Sequence, residues 1–357
     1  MTKPRYIELL LKILLAAAPL LVLAAIYLFN DPFKVLRRYD SYYESGKAGV
    51  IALNRDFVSV QTLLQNRREA PYDSFILGNS RSLFYEVADW QKITRSTQSF
   101  HFDASGESLY GIHAKVRLLD RLKMPLRNVL MILDVESLET TEARHGHIFT
   151  KHPLLTGQSQ FEFQLEFFKS FFNRVFLKSY LPYLLTRKIR PYMVEDLMLD
   201  DRVMEYDLQS NEIRFSEMES RITRDPEGFY GQRTHLFYER PAQERMSPPV
   251  IRARQKEMLQ AIQEVLQSRR TDYRLIINPL YDQLKFNTAD LEILVRIFGT
   301  NRVFDYSGTN EITADRRNYY EASHYRPHIA RRILKEIYSQ RPTPTPSPSP
   351  PHEPPAR

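Results

Sequence analysis

The sequence predicts an α/β protein built on a parallel sheet. Three observations carry this. Short apolar runs alternate with helical spacings between residues 74 and 133, the alternation resumes between 251 and 338, and a long segment of different character separates the two blocks.

In the first block, Ser74 to Leu77 reads as a strand and Leu83 to Ile93 as loop and helix. Ser99 to Phe102 is a second short strand. Glu107 to Leu122 has helical spacing through Leu109, Ile112, Val116, Leu118 and Leu119. Asn128 to Leu133 is an unbroken apolar run, as expected of a strand covered on both faces. In the second block Ile251 to Ser268 is helical by spacing, Tyr273 to Asn278 is a fourth strand stopped by Pro279, and Asp290 to Phe298 is a helix ended by Gly299. Arg302 to Asp305 is a fifth short strand, and Pro327 to Tyr338 is a last helix with Pro in its first turn. Right-handed crossovers between five such strands give a flavodoxin-like sheet with helices on both faces and a large, mostly helical insertion after the third strand.

The remaining segments set the organisation. Residues 1–30 are expected to form a signal anchor, because Ile13 to Phe29 carries no charged residue and rises ~26 Å as a helix. Lys3, Arg5 and Lys12 precede the run and favour a cytoplasmic N-terminus, with the following domain outside the cytoplasm; Lys34, Arg37 and Arg38 follow it, so the charge bias is small. A cleaved signal peptide fits less well, since the run ends in Ile26-Tyr27-Leu28-Phe29 rather than small residues. Residues 31–71 read as a juxtamembrane lead-in, 72–138 and 250–340 as the two parts of the α/β domain, and 139–249 as an insertion serving as lid or interaction region. Within it, Phe161 to Tyr192 is rich in aromatics and reads as one or two amphipathic helices. Packing on the main domain is the plainer reading; a membrane-surface contact through Lys169, Arg174, Lys178, Arg187, Lys188 and Arg190 is the other. Residues 341–357 form a proline-rich tail that should not pack.

Composition narrows the function. The net charge of +7 over 357 residues is modest and dispersed, and no basic stripe is interleaved with aromatics, so nucleic acid is not expected as a partner. The absence of cysteine removes disulfides, thiolate metal sites and a cysteine nucleophile. No glycine-rich phosphate loop is present, and no cofactor is expected. His145, His147 and His152 lack carboxylates at ligand spacing, so no metal is expected either.

The chemistry concentrates at strand ends. Gly78-Asn79-Ser80-Arg81-Ser82 follows the first strand, which is central in this topology, and so presents a serine at the crevice where open α/β sheets bind ligands. Glu321-Ala322-Ser323-His324 precedes the last helix and returns to the same edge. A serine is a weak nucleophile until a base is held beside it, and a carboxylate orients such a base. More ordinary roles stand beside this: Ser80 as a helix cap, His324 as a surface histidine, His328 as the base, Asp305 as the carboxylate, and Asn278-Pro279 as a turn.

These blocks, with Asp103-Ala104-Ser105-Gly106 after the second strand, resemble the SGNH (GDSL-like) hydrolase and acyltransferase superfamily over roughly 72–138 and 273–338. They are similar in particular to a membrane-anchored branch that modifies polysaccharides or teichoic acids. The resemblance implies Ser80 as nucleophile, His324 as base and Glu321 as its orienting partner. It implies an oxyanion hole from the backbone N–H groups of Ser80 and Gly106, with Asn79 or Arg81 as a substitute side-chain donor. Two departures are plain. Glu321 stands where the family usually has Asp, and Asp134-Val135-Glu136-Ser137 has no Asn where the third block usually supplies one. The resemblance thus implies an extracytoplasmic serine esterase or O-acyltransferase at the cytoplasmic membrane, acting on a cell-envelope or exported glycan or other acylated substrate. The alternative is a catalytically silent scaffold that binds a membrane acyltransferase or a glycan.

Overall fold

The computed structural model describes residues 3–194 and 199–339; the proline-rich tail lies outside the described residues. Five parallel strands form the central sheet: β1 (Ser74–Gly78), β2 (Ser99–Asp103), β3 (Asn128–Leu133), β4 (Asp272–Ile277) and β5 (Val303–Asp305). Their spatial order is β5-β4-β3-β1-β2, the flavodoxin-like arrangement. Alternation along each strand builds two cores. Ile76, Leu130, Ile132 and Ile276 enter one, while Phe75, Leu77, Val129, Met131 and Leu275 enter the other.

The helices that cover these faces are α2 (Arg55–Asn66), α3 (Val87–Thr94), α4 (Leu109–Arg121), α7 (Ala253–Ser268), α8 (Thr288–Phe298) and α9 (Pro327–Ser339). Trp90 of α3 and Ile329, Ile333 and Leu334 of α9 fill the first core, and α4, α7 and α8 close the second. The N-terminal α1 (Lys3–Asn30) and the insertion helices α5 (Gln160–Phe171) and α6 (Arg174–Thr186) complete the main elements. Among the described residues, α1 is the one helix long and apolar enough to cross a membrane, with a mean hydropathy of 2.6 over its most apolar window and that window entirely uncovered.

Two boundaries differ from the sequence reading for one physical reason. β2 runs on to Asp103, and the acid is tolerated inside because Arg55 bonds it at 2.5 and 3.0 Å. Glu107 does not open α4; Ser108 caps that helix, and Glu107 is buried against Lys115 and Lys151 at 2.6 and 2.5 Å. The lead-in is joined to the domain: Lys47–Ile51 pairs antiparallel with Leu199–Asp207 of the insertion, which pairs in turn with Glu212–Arg214. So the insertion is helical in its first half and contributes strands in its second. The aromatic stretch has one side packed, with Phe163, Phe167, Phe171, Phe176 and Tyr180 buried.

Candidate active site

β1 stops at Gly78, where a Cβ would meet Ile132 and Ser82 atoms at 2.9 Å, so no larger residue permits this approach of β1 to its neighbours. The chain then makes a short 3-10 turn, Ser80–Phe84. Asn79 caps it, its Oδ1 accepting from the Arg81 N–H at 3.0 Å. Ser80 is therefore not the cap, and its hydroxyl is released from that role. As the first residue of the turn, its N–H has no partner within the turn.

The opposite wall is a hairpin that periodicity did not reveal. Tyr319–Glu321 pairs with His324–Tyr325 around the two-residue turn Ala322-Ser323, so Glu321 and His324 sit directly across from each other. The Ser80 Oγ lies 2.9 Å from His324 Nε2, bridging residues 244 apart in sequence. The other ring nitrogen, Nδ1, contacts Glu321 Oε1. The second carboxylate oxygen accepts from the Ser323 N–H at 2.5 Å. Burial alone raises the Glu321 pKa, but the hydrogen bond and charge of His324, the Ser323 N–H and the positive Arg202 outweigh it and hold the carboxyl below its usual range. An ionised Glu321 requires the proton on Nδ1. In the neutral imidazole that leaves Nε2 as acceptor for the Ser80 hydroxyl, the tautomer that general-base chemistry needs. Phe84 stacks edge-on against the imidazole, with centroids 5.7 Å apart.

Behind this trio lies a second polar cluster, centred on Asp134. Its Oδ2 accepts from Asn79 Nδ2 at 2.8 Å, an Arg81 guanidinium N–H at 2.7 Å and Asn278 Nδ2 at 3.3 Å. Its Oδ1 caps the following helical turn through the Ser137 N–H. Burial raises the Asp134 pKa, but Arg81 and these hydrogen bonds prevail and keep it below the usual carboxylate range. Arg81 also donates through Nε to the Ser323 carbonyl at 3.1 Å, tying the hairpin turn to the serine turn. Tyr325 donates to Asn278 Oδ1 at 2.9 Å and extends the cluster to β4.

The expected donors are thus redistributed. Asn79 gives Nδ2, and Arg81 gives Nη1, to Asp134, and Arg81 Nε goes to the Ser323 carbonyl, while Arg81 also lines the cavity at the carboxyl edge of the sheet. Gly106 has φ +52° and sits under Arg144 and Phe149. His328 bonds Asn318 at 3.0 Å, not Ser80, and Asp305 pairs with Lys285 at 2.6 Å while capping the turn at Ser307. His147 and His152 stack on Phe33 and Phe57, and among the described residues no three His, Asp or Glu side chains are grouped to hold a metal ion. Asp134 and Tyr325 are the participants the sequence reading gave no role. The one signal for Asp134 was its position at the end of β3. A cavity of about 260 Å³ opens beside Arg81 along the carboxyl edge of the sheet, lined by Asp134, Glu136, Asn278, Asp282 and Ser307 among others.

The fold with this arrangement is compatible with the general α/β architecture of hydrolases and acyltransferases. No protein-family model matches the chain, and no curated protein matches it in sequence.

Proposed function

We propose that the chain is a membrane-anchored serine esterase or O-acyltransferase of SGNH type, acting outside the cytoplasm on a cell-envelope or exported glycan. The observation that carries this reading is the Ser80–His324 contact at 2.9 Å, with Glu321 on the far ring nitrogen. In the proposed reaction His324 takes the Ser80 proton as Oγ attacks an acyl carbonyl, and Glu321 stabilises the imidazolium. The leaving alkoxide takes that proton, and water or a sugar hydroxyl then accepts the acyl group from Ser80. The Ser80 N–H, which has no partner within its turn, is the proposed donor to the oxyanion. Such donors are worth about 3 kcal/mol each. Residues 72–138 and 250–340 are proposed as the catalytic part, with 139–249 added to it. The length and uncovered apolar surface of α1 support the membrane anchor, and Lys3, Arg5 and Lys12 before it set against Lys34, Arg37 and Arg38 after it lend the orientation little.

A second reading has its own support. Asn79 and Arg81 each give a donor to the buried Asp134, which reduces the side-chain share of an oxyanion hole and favours a silent scaffold that binds a glycan or a membrane acyltransferase. Labelling by a fluorophosphonate, together with hydrolysis of a chromogenic acetyl ester, separates the two. The enzyme reading expects both with wild type and neither with Ser80→Ala. A folded wild type that does neither overturns it.

A further inference from the structure

We infer that the α5–α6 hairpin of the insertion is a second membrane contact, lying on the surface of the bilayer that α1 crosses and seated among acidic lipid headgroups. The argument starts from where the hairpin grips α1. Tyr27 is buried against the hairpin, its ring 5.5 Å from Phe168 and 5.2 Å from Phe171, and Leu23 and Ile26 pack on the same core. At that same level the uncovered residues of α1 are still apolar: Leu28 is 56% and Phe29 78% exposed. Apolar side chains in such a position call for the apolar or interfacial part of a membrane. The bilayer therefore reaches the level of Phe29, and a hairpin fastened at Tyr27 stands at the height of the headgroups.

The connection is stiff, so the height is fixed. Asp31, at φ +42°, accepts from the backbone N–H groups of Val35, Leu36 and Arg37 and from the Tyr39 hydroxyl, all between 2.9 and 3.2 Å. Arg37 in turn covers the carbonyls of Leu28 and Phe29. Phe33 continues the seam, its ring tilted against those of Phe167 and Phe176. No loose tether separates membrane from domain.

The hairpin's own surface has the composition of an interfacial segment. Phe161 and Leu185 are 75% and 87% exposed, far more than large apolar side chains in contact with the core. On the same hairpin and just beyond it Lys169, Arg174, Lys178, Arg187, Lys188 and Arg190 are all exposed, against only Glu162 and Glu166 as acids. Each such cation near an anionic surface is worth about five-fold in binding. The inference rests on α1 as a membrane span and is independent of what Ser80 does.

The chain has no cysteine, so single cysteines can be placed at will in the full-length protein. Phe161→Cys and Leu185→Cys would carry a polarity-sensitive fluorophore after reconstitution into phosphatidylcholine–phosphatidylglycerol vesicles containing nitroxide-labelled lipid. Leu15→Cys on α1 and Lys256→Cys on α7 give the membrane and solvent references. Quenching and a blue shift at positions 161 and 185, well above position 256, are expected. Values at 161 and 185 equal to those at 256 overturn the inference. If position 15 is quenched in that case, the hairpin alone has failed; if it is not, the span has failed with it. Reversing charge with Arg187→Glu and Lys188→Glu should weaken quenching at 185, and unchanged quenching overturns the role of acidic headgroups.

Discussion

The serine turn carries two serine–histidine contacts two residues apart, and they differ in almost everything but distance. Ser80 meets His324 at 2.9 Å, and Ser82 meets His101 at 3.0 Å. The first pair is partly exposed at the carboxyl edge of the sheet; the second is completely buried under it. His324 has a carboxylate on its far nitrogen, whereas His101 Nδ1 has no hydrogen-bond partner. Ser82 already donates to the Asn79 carbonyl at 2.7 Å, so His101 must donate to it and holds the opposite tautomer. A hydroxyl beside an imidazole is thus a packing device or a nucleophile depending on access and on the third group. Distance alone does not decide.

Paired substitutions test this contrast most strongly. Ser80→Ala is expected to lower ester turnover by about 10⁶-fold, the usual scale for losing a triad nucleophile. Ser82→Ala should leave turnover within about three-fold while costing roughly 1–3 kcal/mol of stability, because it strands the buried His101 N–H. Comparing kcat/KM with urea midpoints for the two variants checks both. Equal losses of activity would erase the distinction between the pairs.

The third group comes next. In Glu321→Gln the single amide oxygen can serve the Ser323 N–H or the His324 Nδ1–H, but not both, as the carboxylate does. Turnover is expected to fall about 10⁴-fold with little change in KM, through loss of the productive tautomer. Turnover unchanged in that variant would remove Glu321 from the proposed trio.

A smaller effect is expected where the two walls are tied. Arg81→Lys keeps a charge for Asp134 but loses the planar fork that also reaches the Ser323 carbonyl. A roughly ten-fold fall in kcat, with stability nearly intact, is the expected signature of a loosened hairpin. Arg81→Met should instead cost about 3–5 kcal/mol, since it leaves a buried carboxylate without its cation. If Arg81→Lys matches wild type in kcat, the tie has no positioning role.

The legible parts of this molecule are those whose cause is local. The strands announce themselves as apolar runs buried on both faces, and their sequence of strand, helix and strand is enough to give the order of the sheet. Boundaries fail at Asp103 and Glu107, whose compensating cations include Arg55 and Lys151, more than forty residues away. Ser80, Glu321 and His324 were named from strand-end position and spacing. What brings them together is a two-residue hairpin too short to show any period. The resemblance implies Asn79 or Arg81 as a substitute oxyanion donor because either side chain can donate. Their use by Asp134 follows from burial of that acid, which no pattern in the sequence states.

The buried pair offers a final test, through pH. Burial pushes the His101 pKa down to about 4, against an ordinary value near 6.5. Between those values the unfolded chain binds a proton that the folded chain does not. Stability therefore falls as pH drops through this window, by up to about 1.4 kcal/mol per pH unit for this one group. His147 and His152, also lowered to about 4 by burial, add slopes of the same sign. His101→Gln keeps an N–H for Ser82 and removes one titration. The variant should be less stable than wild type near pH 7, and the gap should narrow toward pH 5 in urea unfolding of the detergent-solubilised chain. A gap that stays constant would mean that His101 takes up its proton in the folded state. The pair would then no longer be the closed counterpart of Ser80 and His324.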